Sequence, residues 1–129
     1  MKQLISLIFL INYTLAYEFK LNGKDIKYIN NSDKKSFIEN RLDKYKNLKI
    51  QVKDYELIKK LSYINSFVNK ILPAYDTSTQ ASLDYWATPK EFLLQGHGDC
   101  EDYVITKYFT LLEVGIPKEK LYFAIVDIK

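Results

Sequence analysis

Two helix-start signals with glycines between them constrain this chain more than any other feature. Thr88-Pro89-Lys90-Glu91 places a capping threonine, a proline at the first helical position and a glutamate three residues after the cap, a full capping box. A short helix is expected from there to just before Gly96. Asp99 then serves as a second N-cap, with Asp102 three residues on and one methylene short of the glutamate that usually closes the box. Behind it Val104, Ile105, Tyr108, Leu111 and Leu112 recur at helical spacing, and Gly115 followed by Pro117 supplies a stop. Cys100, the only cysteine, is therefore expected as the first residue of an amphipathic helix whose apolar face is buried.

A thiol at a helix tip can be read in two ways. The thiolate is the nucleophile, and free N–H groups at a helix N-terminus favour an anion there and can donate to an oxyanion. Alternatively, a lone cysteine is a small buried hydrophobe. Trp86, just upstream, is likewise either the wall of a cleft beside Cys100 or a core anchor.

At 129 residues, 47% of them hydrophobic and 15% aromatic, the chain is one domain with a modest core. Its net charge of +3 is spread without a basic block, which argues against a nucleic-acid-binding surface. Met1-Lys2-Gln3, the apolar run from Leu4 to Ile11 and Thr14-Leu15-Ala16 have the layout of a secretory signal peptide, with cleavage expected after Ala16. The alternative is an uncleaved membrane anchor through residues 4–16. Residues 17–129 then form the mature domain, exported to an oxidising compartment, where a single cysteine cannot close an internal disulfide and is flagged as reactive or intermolecular.

The remaining elements read as scaffold. Phe19-Lys20-Leu21 and Ile26-Lys27-Tyr28 alternate around Asn22-Gly23, a hairpin signal. Ser32 or Asp33 is expected to cap a helix with Phe37, Ile38, Leu42 and Tyr45 on one face, fading near Lys46-Asn47. From Asp54 onward Leu57, Ile58, Leu61, Ile64, Val68, Ile71 and Leu72 form one stripe that Pro73 ends. Pro73 to Leu83 reads as a polar loop, and Leu121 to Ile128 as a strand against the cysteine helix.

Asp84-Tyr85-Trp86-Ala87-Thr88-Pro89-Lys90-Glu91-Phe92, Gly98-Asp99-Cys100-Glu101-Asp102-Tyr103, Lys107-Tyr108-Phe109 and Gly115-Ile116-Pro117 with Lys120-Leu121 together resemble the bacterial transglutaminase-like cysteine proteinases, and within them the LapG-type periplasmic proteases. The resemblance is dense from about Phe67 to Val126. It implies an α+β, papain-like or transglutaminase-like fold with a Cys-His-Asp triad in which Cys100 matches the nucleophile. It further implies calcium as cofactor, a large surface adhesin as substrate and an inner-membrane cyclic-di-GMP receptor as inhibitor. The family's His and Asp lie on later strands and have no counterpart in this sequence, so the expected domain is incomplete and the remaining sheet missing.

His97, the only histidine, lies in a Gly-flanked turn and reads better as a solvated residue than as the base. Gln95 is a possible oxyanion donor without motif support. The acids around Cys100 pose an electrostatic problem: one carboxylate about 6 Å from the sulfur, at an effective dielectric near 20, opposes the thiolate by about 3 kcal/mol. The helix end returns only about 0.3–1 kcal/mol. Calcium takes carboxylate oxygens and would reverse that field, although acids in a first helical turn also simply complement the dipole. By resemblance, Asp99, Glu101 and Asp102 match the metal positions. Two function classes remain open, a LapG-type cysteine endopeptidase or a non-catalytic calcium- or receptor-binding relative.

Overall fold

The computed structural model describes residues 17–74 and 85–128. Five helices and a two-stranded parallel sheet occur in the order α1 (Gly23–Asn31), α2 (Lys35–Val52), α3 (Leu57–Asn69), β1 (Leu72–Pro73), α4 (Pro89–Gln95), β2 (His97–Gly98) and α5 (Cys100–Glu113). A 3₁₀ turn, Lys118–Lys120, comes after them. Among the described residues no helix is long and apolar enough to cross a membrane. The export signal expected at residues 1–16 and most of the loop expected at Pro73 to Leu83 lie outside the described residues.

Asn22-Gly23 opens a helix, not a hairpin. The Asn22 side chain accepts the Asp25 amide at 3.0 Å and Asp25 Oδ2 accepts the Asn22 amide at 2.7 Å, a reciprocal capping box. Asparagine serves caps and tight turns alike, and the acid three residues on decides between them. The Asp25 carboxylate also pairs with Lys90 Nζ at 2.8 Å, tying α1 to α4.

α2 runs past the fading point expected near Lys46-Asn47, because Leu48 and Val52 continue the buried row that Tyr45 begins. Neither Ser32 nor Asp33 is its N-cap. That position is Lys34, and Ser32 Oγ instead accepts the Lys34 amide at 3.1 Å. On α3, Ile64 and Val68 face the core while Leu57 and Ile58 stay exposed, and Leu72 leaves the helix for β1. β1 pairs with β2 in parallel, Leu72 opposite His97 and Pro73 opposite Gly98, and the Ala74 amide donates to the Gly98 carbonyl at 2.8 Å. The α3 end is thereby latched to the turn that precedes Cys100.

The principal core joins Tyr45, Val52, Ile64, Val68, Phe92 and Leu93 with Leu111, Val114 and Ile116. Phe92 is fully buried and meets the Tyr103 ring edge-on at 5.0 Å. By size alone its truncation to Ala would cost about 3–5 kcal/mol. A smaller cluster of Ile29, Ile38 and Leu94 seats α1 on α2 and α4.

The buried face of α5 and the segment after Lys120 also differ from expectation. The buried residues of α5 are Asp102, Thr106, Thr110 and Leu111, while Val104 is 48% exposed and Ile105, Tyr108 and Leu112 are half-buried. Asp102 and Thr110 are admitted because their polar atoms find partners: Thr110 Oγ1 donates to the Thr106 carbonyl at 2.6 Å, and the Tyr45 hydroxyl lies 2.8 Å from Thr110 Oγ1, whereas the Thr106 hydroxyl has none among the described residues. Leu121 to Ile128 forms no strand among the described residues. It runs without a ladder, Leu121 half-buried against the core and the Phe123 ring 4.4 Å from Tyr108, with Ile125 and Ile128 almost fully exposed. β-propensity describes side chains that suit a pleated surface, and a strand still needs a neighbour for its N–H and C=O groups.

Candidate active site

α4 delivers the chain to the cysteine turn. Thr88 Oγ1 accepts the Glu91 amide at 3.3 Å and Glu91 Oε2 accepts the Thr88 amide at 2.8 Å, the box expected from the sequence. Gly96 closes the helix in the left-handed region, φ 76°, and its amide donates to the Phe92 carbonyl at 2.9 Å. A side chain there would be strained by the positive φ and would also meet the Arg41 guanidinium at about 2.4–2.5 Å.

The second box also forms. Asp99 Oδ1 accepts the Asp102 amide at 3.4 Å and Asp102 Oδ2 accepts the Asp99 amide at 3.1 Å. The shorter acid reaches because its carboxylate turns inward, where Oδ1 also accepts the Ala87 amide at 2.8 Å. Asp102 is 7% exposed. Burial pushes its carboxyl above the ordinary value, the neighbouring Asp99 charge pushes the same way, and the Ala87 and Asp99 amides pull against both. Gly98 is fitted to this arrangement, since a Cβ there would lie 2.6 Å from the Phe92 ring and 2.7 Å from Asp102 Oδ2.

Cys100 is thus the first residue of α5, and it is exposed. The buried-hydrophobe reading fails. The first amides of an α-helix have no intrahelical acceptor; that of Asp102 is taken by Asp99, which leaves those of Cys100 and Glu101 as donors at the tip. A nucleophilic sulfur beside two such donors is the arrangement acyl transfer requires for attack and for holding the oxyanion.

The other sequence candidates are distributed around this tip. His97 is exposed in β2, on the side opposite Gly98, and no hydrogen bond joins it to Cys100 among the described residues. Gln95 is exposed at the end of α4. Trp86 is 60% exposed and so is not a core anchor; the amide of the next residue, Ala87, is bonded to Asp102. That Ala87 bond has no signal in sequence, since its two residues lie fifteen apart in the chain.

Asp99, Glu101 and Asp102 have the hard oxygen donors that calcium takes. Asp99 is half-buried, Glu101 is exposed and Asp102 faces inward. Among the described residues no three His, Cys, Asp or Glu side chains converge as a metal-binding group. The donor type suits a calcium ion, while the capping bonds already engage Asp102 Oδ2 and Asp99 Oδ1 and the Ala87 amide engages Asp102 Oδ1.

Comparison with known proteins agrees with this geometry. Residues 26–129 match the family described as bacterial transglutaminase-like cysteine proteinase BTLCP. No curated protein matches. Among solved structures, EGTA-treated LapG of Legionella pneumophila is 37% identical with a TM-score of 0.62, over 75% of this chain and 51% of that one. LapG of the same organism gives 37% identity and a TM-score of 0.62 over 75% and 52%. Its calcium-bound form gives 37% identity and a TM-score of 0.59 over 75% and 52%. The chain spans about half the length of these solved relatives. The fold is that of part of LapG, and the chain belongs to the bacterial transglutaminase-like cysteine proteinase family.

Proposed function

We propose that this chain carries the nucleophile of a LapG-type cysteine endopeptidase, with Cys100 attacking the scissile carbonyl of a large surface adhesin. The observation that carries this reading is the exposed thiol at the first position of α5, set there by the reciprocal Asp99–Asp102 cap. The Cys100 and Glu101 amides would receive the oxyanion, and Trp86 would flank the acyl group. A general base must stand within about 2.6–3.2 Å of the proton it takes. His97 makes no such contact with Cys100, so we infer that these 129 residues do not turn over peptides alone.

Calcium belongs to the same proposal, supported by the all-carboxylate donors and by the calcium-bound relative. Asp99 and Glu101, with Asp102 behind them, would hold it. When bound it would offset the negative field of these acids beside the sulfur. Periplasmic export after Ala16 and restraint by an inner-membrane cyclic-di-GMP receptor complete the proposal. A second reading, a non-catalytic calcium- or receptor-binding module, is favoured by the same lack of contact between His97 and Cys100.

Calorimetric titration of the folded chain with calcium tests the metal. Heat above buffer dilution that falls on Asp99→Ala or Glu101→Ala supports it, and no heat at millimolar calcium refutes it. Addition of a second polypeptide that supplies a histidine and an aspartate on β-strands separates the two functions. Adhesin cleavage that Cys100→Ala abolishes supports the peptidase, and a complex without cleavage supports the binding module.

A further inference from the structure

A groove of about 820 Å³ lies between α2 and α3 and is lined as far as Leu72 and Gly96. Among the described residues its cations are Arg41, Lys44 and Lys70, and no Asp or Glu lines it. Arg41 is a fixed charge: its Nε donates to the Leu93 carbonyl at 2.7 Å, and Nη2 lies 3.5 Å from the Leu94 carbonyl. Neither Lys44 nor Lys70 joins an ion pair among the described residues.

The uncharged lining has its own order. Asn40, Asn47 and Gln51 lie on the groove side of α2. Each of these amides both donates and accepts, as a peptide backbone does. Apolar surface sits beside them: Phe37 is 71% exposed, Leu72 69% and Tyr63 38%, all lining the same groove. From Phe37 to Gln51 the helix rises about 21 Å, the span of about six extended residues.

We propose that this groove binds an extended acidic stretch of a protein, about six residues long, in which carboxylates alternate with apolar side chains. The carboxylates meet Arg41, Lys44 and Lys70, the apolar residues cover Phe37, Tyr63 and Leu72, and the amides pair with the bound backbone. The groove reaches Leu72 and Gly96, and β1 is latched to β2, which runs directly into Cys100. On the reading of the chain as part of a peptidase, the groove is therefore a docking site for a substrate segment away from the scissile bond.

Fluorescence anisotropy on the full chain carrying Cys100→Ala reads binding without any chemistry, so its failure is separate from failure of the peptidase reading. The probe is a fluorescein-labelled heptapeptide alternating glutamate with leucine, beside versions alternating glutamine or lysine with leucine. Binding of the glutamate peptide should exceed both others, weaken as salt rises, and weaken at least tenfold in Lys44→Glu/Lys70→Glu. Lys118→Glu/Lys120→Glu, which makes the same charge change outside the groove, should leave it within twofold. Circular dichroism confirms that both variants are folded. Equal binding of the three peptides, equal loss in the two variants, or salt-dependent self-association with no peptide binding would overturn the proposal.

Discussion

The Asp102 carboxylate accepts the Ala87 amide at 2.8 Å, so one buried side chain on the cysteine helix holds the Trp86–Ala87 segment and, through its other oxygen, the Asp99 amide 3.1 Å away. Asp102→Asn keeps the shape but turns an amine toward one of two N–H donors. It should cost about 1–3 kcal/mol of stability, the usual penalty for a buried donor left without an acceptor. Urea unfolding of the variant and parent gives this directly.

The same carboxylate makes stability depend on pH. Its folded-state pKa is raised, chiefly by burial. For a raised carboxyl, the contribution is complete below the ordinary value of 3.8 and is lost as pH rises through the folded-state value. The stability gap between parent and Asp102→Asn should therefore be widest near the acid end and narrow as pH rises above it. Thermal melts in parallel from pH 3.5 to 7 test the sign, and a gap that widens with pH would contradict it.

Gly98→Ala should be destabilising although Gly98 has no left-handed φ. The added methyl would sit 2.6 Å from the fully buried Phe92 ring and 2.7 Å from Asp102 Oδ2. Overpacking of that kind costs about 1–3 kcal/mol. A lowered urea midpoint, with faster labelling of Cys100 by a maleimide as the turn loosens, is the expected result.

Thr106→Val should be stabilising. Thr106 is fully buried, and its hydroxyl has no hydrogen-bond partner among the described residues. A valine of nearly the same shape removes the cost of desolvating that hydroxyl, about 1 kcal/mol. A higher melting temperature is expected.

Capping chemistry is the most legible part of the sequence, since Thr88/Glu91 and Asp99/Asp102 act within three residues of one another. Asn22-Gly23 misleads because asparagine starts helices and hairpins equally well, and only the Asp25 contact decides for the helix. Periodicity misplaces the centre of the buried face of α5, because Thr106 and Thr110 are fully buried and Thr110 Oγ1 is satisfied by the Thr106 carbonyl and the Tyr45 hydroxyl. The exposure of Cys100 is half legible: the cap fixes its place on the helix, but only the fold shows which way the first turn faces.

Leu121 to Ile128 should govern solubility. Tyr122, Ile125, Val126 and Ile128 are each more than three-quarters exposed, and an unpaired apolar segment of this kind invites pairing with another chain. Ile125→Lys/Ile128→Lys should raise the soluble yield with little effect on the melting temperature, which light scattering and thermal melts check together.

The role proposed for Cys100, a nucleophile presented without a base in contact, has two halves. Intact-mass spectrometry after incubating the full chain with iodoacetamide, or with an adhesin N-terminal segment and calcium, addresses both halves. We expect a single alkylation per native chain that Cys100→Ala abolishes, and no adhesin fragment above the level of that variant. Resistance of Cys100 to alkylation, or calcium-dependent adhesin cleavage by the parent chain alone, would contradict it.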